Sequence, residues 1–223
     1  MAFTLVGSGA TSNNGSGGSL GTTTSGTVQA GDLIVAVASN FGTAGIPSLS
    51  DGTTTFTALT QLTGAADELR MFYLLASVAT GNPTYTVTFT GTPTSRSLEV
   101  YVFRPTAAVT FDQQNGTVSA GSSTAPSGNV STTGTDELSF GTQYNQNQSA
   151  SSSETINGTA RTAVIDSGTH ATLWYLANAS TYTGQSNANI GSTTTCLGAI
   201  ATFLIAVAAK PTGPSPTHRP DLP

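Results

Sequence analysis

The sequence predicts an all-β protein, an antiparallel two-sheet β-sandwich. Three observations point there. Apolar and polar residues alternate with period two in stretch after stretch, which sends successive side chains to opposite faces of a strand. Turn residues recur at short intervals between those stretches. No long amphipathic helix is legible anywhere in the 223 residues. Many short strands divided by turns are the pattern of a sandwich.

The chain opens on strand-like residues at Phe3, but 7–26 is a tract of Gly, Ser, Thr and Asn that, read alone, has the composition of a flexible linker. The turn Ala30-Gly31-Asp32 leads into DLIVAVAS (32–39), apolar on both faces and therefore a central strand. After Asp51-Gly52 comes ELRMFYLLAS (68–77). Gly81-Asn82-Pro83 opens TYTVTFT (84–90), where Tyr85, Val87 and Phe89 face in and Thr84, Thr86, Thr88 and Thr90 face out. RSLEVYVF (96–103) stops at Arg104-Pro105. Residues 117–133 read as loop-rich, and DELSFGTQY (136–144) follows. In SETINGTARTAVI (153–165) the Asn157-Gly158 pair supplies the positive φ angles of a type I′ hairpin turn. ATLWYLANA (171–179) comes next.

The last stretch, CLGAIATFLIAVAA (196–209), is the most apolar. Its length is below the roughly 20 residues that span a bilayer, so it reads as a buried strand and not a membrane anchor. Both of its faces are apolar, so both should be covered. Beyond it, KPTGPSPTHRPDLP (210–223) carries five prolines and reads as an extended arm. The expected organisation is one sandwich domain, 1–209, with the arm at 210–223. Two parallels run between the halves: FYLLASVATG (72–81) with WYLANASTYTG (174–184), and GDLIVAVASN (31–40) with TDELSFGTQYN (135–145). The same patterning constraint on inner strands of one sandwich accounts for both.

Charged residues are 8% of the chain and the net charge is −5, while 37% are hydrophobic. Enough apolar surface is present to form a core, and the exterior must be mainly Thr, Ser, Asn and Gln. Six basic against eleven acidic residues argue against nucleic acid, whose binding rests on neutralising phosphates. The single cysteine, Cys196, lies in a buried strand and reads as a small apolar residue. No charged segment followed by an apolar core opens the chain, so no secretory signal is expected.

The chemistry-bearing residues do not assemble into a known reaction centre. His170 and His218 are too few for a zinc site, and no cofactor or metal is expected. No Gly-x-Ser-x-Gly elbow stands between a strand and a helix. Asp67-Glu68 and Asp136-Glu137 stand at strand starts, where neighbours point to opposite faces, and read as solvated turn residues. The expectation is that the chain is not an enzyme. Trp174, beside Tyr175, and Tyr101 are candidate exposed stacking platforms for a sugar.

The run VQAGDLIVAVAS, SDGTTTFTAL, MFYLLASVATGNPTYTVTFTG, SLEVYVFRP, FDQQNGTVSAGSSTAPSGNVSTTGTDELSFGTQ and LGAIATFLIA resembles a group of jelly-roll-like β-sandwich proteins from tailed-bacteriophage virions and some bacterial surface proteins. The resemblance covers most of 28–206 and rests on packing markers: Ala30-Gly31-Asp32, Phe72-Tyr73-Leu74 and the Ala-rich strand with Phe203. It implies a structural virion protein, a capsid decoration (cement) or tail-associated subunit assembled in the host cytoplasm. Its partners would be copies of itself and other capsid or tail proteins, with no membrane and no nucleic acid. The arm lies outside that pattern; its prolines and basic residues carry a separate expectation, that it docks on a neighbouring subunit through Lys210, Pro211, Pro214, Pro216, Arg219 and Leu222. The alternative is a carbohydrate-binding or adhesin module that meets a host surface glycan at Trp174 or Tyr101.

Overall fold

The computed structural model describes residues 2–42, 44–145, 147, 152–161, 171–178 and 180–206, and every regular element among them is a strand. The first half supplies β1 (Phe3–Asn13), β2 (Ser19–Thr23), β3 (Leu33–Phe41), β4 (Ser48–Ser50), β5 (Thr57–Ala58), β6 (Leu62–Thr63), β7 (Asp67–Leu75), β8 (Thr84–Thr88) and β9 (Ser95–Pro105). The second supplies β10 (Val109–Thr124), β11 (Val130–Ser131), β12 (Glu137–Asn145), β13 (Ser152–Ile156), β14 (Thr159–Ala160), β15 (Thr172–Asn178), β16 (Thr183–Gly184) and β17 (Ser186–Ile205). The arm at 210–223, the strand end at 207–209, the far side of the hairpin beyond Arg161, and His170 lie outside the described residues.

The sheets are antiparallel and stack face to face. One six-stranded sheet runs β1-β9-β3-β7-β5, with β6 also on β7; the other runs β14-β13-β17-β12-β15, with β10 also on β17. Their facing sides share the largest core, built from Leu33, Val35, Met71, Tyr101 and Phe103 on one side and Leu138, Phe140, Leu173, Leu197 and Phe203 on the other. Small sheets cover their outer sides. β2-β8-β4 packs Leu20, Tyr85, Val87 and Leu49 against Ile34, Phe72, Leu98 and Val100. Near β11-β16, Val130 and Tyr182 pack against Trp174, Leu176 and Ile200. Both faces of the final apolar strand are therefore covered, the outer one by this second layer. No helix among the described residues is long and apolar enough to cross a membrane.

The halves repeat one pairing scheme. β1-β9, β9-β3, β3-β7 and β2-β8 in the first correspond to β10-β17, β17-β12, β12-β15 and β11-β16 in the second. The registers agree in detail. Leu33 pairs with Phe103 as Leu138 pairs with Phe203, and Val35 pairs with Tyr73 as Phe140 pairs with Tyr175. Even the irregularities coincide: β1 slips register between Leu5 and Gly7 opposite β9, and β10 between Phe111 and Gln113 opposite β17. The parallels legible in the sequence fall on equivalent strands of the two sheets that share the core.

Two tracts expected as loops are strands. Residues 7–26 contain most of β1 and all of β2. The glycines there serve close approach: a Cβ on Gly9 would stand 1.9 Å from the Thr23 carbonyl oxygen. Residues 117–124 continue β10, because β17 begins at Ser186 and so offers a longer template than its apolar part suggests. The hairpin turn is as expected, with φ of 50° at Asn157 and 70° at Gly158.

Candidate functional site

The arm residues lie outside the described residues, and both candidate stacking platforms stand inside the protein. Tyr101 and Trp174 are fully buried. Tyr101 points from β9 into the shared core, and its hydroxyl donates to the Leu173 carbonyl at 2.9 Å. Trp174 points the opposite way, under the outer layer, and its indole N–H donates to the Thr155 carbonyl at 3.2 Å. The exposed-platform reading fails because strand alternation tells which face a side chain takes, but here both faces are covered. Tyr175, on the other face from Trp174, packs 4.8 Å from the Phe103 ring.

Tyr101 belongs to a row that joins the halves. Glu99 Oε2 accepts the Leu173 amide at 2.9 Å, and Ser97 Oγ accepts the Ala171 amide at 3.2 Å. These side chains bond the backbone at the open edge of β15. The equivalent edge, on β7, is instead paired by β5 and β6. An open strand edge must find partners when buried, and the two halves solve this differently.

The acid pairs read as solvated are mostly interior. Asp67, Glu68 and Glu137 are buried, and of the four only Asp136 is exposed. Glu68 accepts the Asn40 amide group at 2.9 Å. Asp67 lies near Tyr144 and Cys196. Burial raises its carboxyl above the ordinary range. Burial, and then the Asp67 charge, push the Tyr144 hydroxyl up and the Cys196 thiol up to about 11, so the cysteine is a poor nucleophile. Asp32 is paired bidentately with Arg104 at 2.9 and 2.8 Å. Glu137 stands beside Asp112, and burial first, then that neighbour, raises its carboxyl.

Three arginines tie backbone into place. Arg70 donates to the Leu59 and Ile46 carbonyls, Arg96 to those of Gly15 and Ser19, and Arg104 to that of Thr27. Among the described residues no three His, Cys, Asp or Glu side chains gather as a metal cluster would.

What the exterior offers is a hydroxyl-rich face. On β2-β8-β4 the outward positions pair as Thr23 with Thr84, Gly21 with Thr86 and Ser50, and Ser19 with Thr88 and Ser48. Thr84, Thr86 and Thr88 are exposed while Tyr85 and Val87 beneath them are buried. Neighbouring strands place these hydroxyls and methyls about 4.8 Å apart in rows. A separate cleft of about 250 Å³ opens where the halves meet, lined by Leu59, Leu62, Met71, Gln114 and Ala199.

No family model matches the chain, and no curated protein matches it. Among solved structures, a conserved protein of unknown function from Pseudomonas aeruginosa aligns over 90% of this chain and 98% of its own, at 11% identity and a TM-score of 0.30. A likeness that low carries no argument about fold or function.

Sequence reasoning found the threonine face of β8, since alternation alone puts Thr84, Thr86 and Thr88 outside. It missed the buried acids. Their signal was weak: strand starts are usually solvated, and only knowledge of the neighbouring strand shows that Glu137 is opposite Leu204.

Proposed function

We propose that this chain is a structural interaction protein and not an enzyme, acting as a capsid decoration (cement) or tail-associated subunit of a bacteriophage particle. The carrying observation is the uncharged Ser/Thr face of β2-β8-β4 on a stacked, doubled scaffold. Such a face has no charge to desolvate, and its hydroxyls and methyls suit broad contact with another protein surface. We read the layers as a sandwich of jelly-roll-like character, and the resemblance at 28–206 supplies the virion context. The partners are copies of itself and other capsid or tail proteins. The Pro-rich arm adds contact at low entropic cost, because its prolines pre-set an extended shape.

The test uses purified particles with variant subunits. Thr86→Arg with Thr88→Glu should leave the melting temperature unchanged, because both side chains are exposed, yet lower occupancy on the particle. Deletion of 211–223 should do the same. Undiminished occupancy and heat resistance in both variants would refute the reading. Strong glycan-array binding that survives both changes would favour the carbohydrate-binding alternative.

A further inference from the structure

The two halves build the same corner with different charges. In the first, Asp32 precedes Leu33, which pairs with Phe103. Asp32 Oδ2 accepts the amide of Gln29, three residues back, at 2.8 Å. Arg104, the residue after Phe103, donates to both carboxylate oxygens. In the second, Glu137 precedes Leu138, which pairs with Phe203. Glu137 Oε1 accepts the amide of Gly134, again three residues back, at 2.6 Å. The residue after Phe203 is Leu204, and a Cβ on Gly134 would stand 3.4 Å from both Glu137 Oε1 and the Leu204 Cβ. The carboxylate and the amide are repeated, but a leucine stands where the guanidinium would be.

A second carboxylate occupies the corner instead. Asp112 is the extra residue at the bulge between Phe111 and Gln113. Its Oδ2 accepts the Thr133 amide at 3.2 Å and the Thr202 hydroxyl at 3.4 Å, and its Oδ1 accepts the Thr133 hydroxyl at 2.7 Å. The Glu137 carboxyl reaches the same Thr133 amide and the Asp112 carboxyl. Glu137 is 1% exposed, and its Oε2 has no hydrogen-bond donor. Two carboxylates in contact, one of them buried with an unsatisfied oxygen, call for either a shared proton or a cation between them.

We propose that a divalent cation of the calcium class binds here, bridging Glu137 Oε2 and the Asp112 carboxylate. The donors are all hard oxygens, two carboxylates with the Thr133 and Thr202 hydroxyls nearby, which suits calcium, magnesium or manganese and not the softer transition metals that take thiolate or imidazole. Their irregular spacing on a bulge favours calcium, which tolerates flexible geometry. Asp112 is only half-buried, so ions and completing water ligands have access. The ion does for the second half what Arg104 does for the first.

Equilibrium dialysis of the full chain against calcium at neutral pH, after treatment with a chelator, is expected to show one ion per chain, with a melting temperature that rises as calcium is added. Glu137→Gln and Asp112→Asn keep the side-chain shapes and should each weaken binding by more than about tenfold. Leu204→Arg recreates the first half's corner and should raise the melting temperature in chelator while abolishing the response to calcium. The proposal is overturned if the wild type retains no calcium, or if both carboxylate variants retain it equally. A melting temperature that climbs on acidification with no effect of calcium would assign the corner to a shared proton, and would equally overturn it.

Discussion

At the scale of single residues, burial decides more than residue type. Asp67 is fully buried, accepts one amide from Ala66 at 3.1 Å, and leaves its second oxygen without a donor. Burial raises its carboxyl above the ordinary 3.8, the Ala66 amide lowering it less. A raised folded value means that the folded state favours the protonated form. The stability Asp67 contributes is therefore present in acid, below the ordinary value, and is lost as pH rises through the raised one. The other titratable groups that sense it are Tyr144 and Cys196, both uncharged at neutral pH. Asp67→Asn keeps the shape, removes the charge and is expected to be more stable than the wild type at neutral pH by about 1 kcal/mol. The gap should close in acid. Urea unfolding of both proteins at the two pH values checks this, and an equal loss at both would show that the carboxylate is needed for another reason. None of this was legible in the Asp67-Glu68 pair, whose place at a strand start is that of a solvated turn. Tyr101 and Trp174 were misjudged for the same cause: alternation gives a side chain its face, and only the neighbouring layer says whether that face is wet.

At the scale of elements, the strands whose composition is unambiguous were found where expected. DLIVAVAS, TYTVTFT and RSLEVYVF coincide with β3, β8 and β9 to within a few residues. The failures are β1, β2 and the far end of β10, where Gly, Ser and Thr give little β signal and pairing is imposed by the strand alongside. Glycine is elsewhere a mark of flexibility, but on β1 it lets the segment at 23–26 pass close over the strand. The final strand makes the sharpest test. Ala201 is buried on its inner face, paired with Phe140 on one side and Gln114 on the other. Ala201→Asp puts a carboxylate into the shared core with no cation in reach, and should cost more than about 4 kcal/mol. The exposed Thr193, earlier on the same strand, supplies the control. Thr193→Asp should change stability by less than about 0.5 kcal/mol. Thermal melts followed by circular dichroism separate the two, and comparable stability for both variants would mean that the strand's inner face is not the core.

At the scale of the whole molecule, the repeat and its breakdown have to be read together. Equivalent strands, registers and bulges make each half look self-sufficient, yet each presents its broadest apolar face to the other. Aromatic rings interlock there, with Phe103 against Phe140 at 5.5 Å and Tyr73 against Phe203 at 5.2 Å. Pairs of this kind add about 0.5–1.5 kcal/mol each beyond the area they bury. The polar contacts across the join are not repeated: Ser97, Glu99 and Tyr101 hold the β15 edge, while the β17 residues that pair through matching positions on β12, Leu197, Ala199 and Ala201, carry no polar group. Two copies of the first half could bring their apolar faces together, but Glu99 would then meet a β7 edge already filled by β5 and β6. The halves are thus complementary and not interchangeable. Expressed separately, residues 1–107 should expose Val35, Met71 and Phe103 and self-associate without a sharp thermal transition. Mixed with residues 108–223, they should form a one-to-one complex that melts cooperatively. Size-exclusion chromatography and near-ultraviolet circular dichroism of the fragments and their mixture provide the measurement. A monomeric first fragment that melts at the temperature of the whole chain would show that the shared core is a contact between two independent units and not the centre of one.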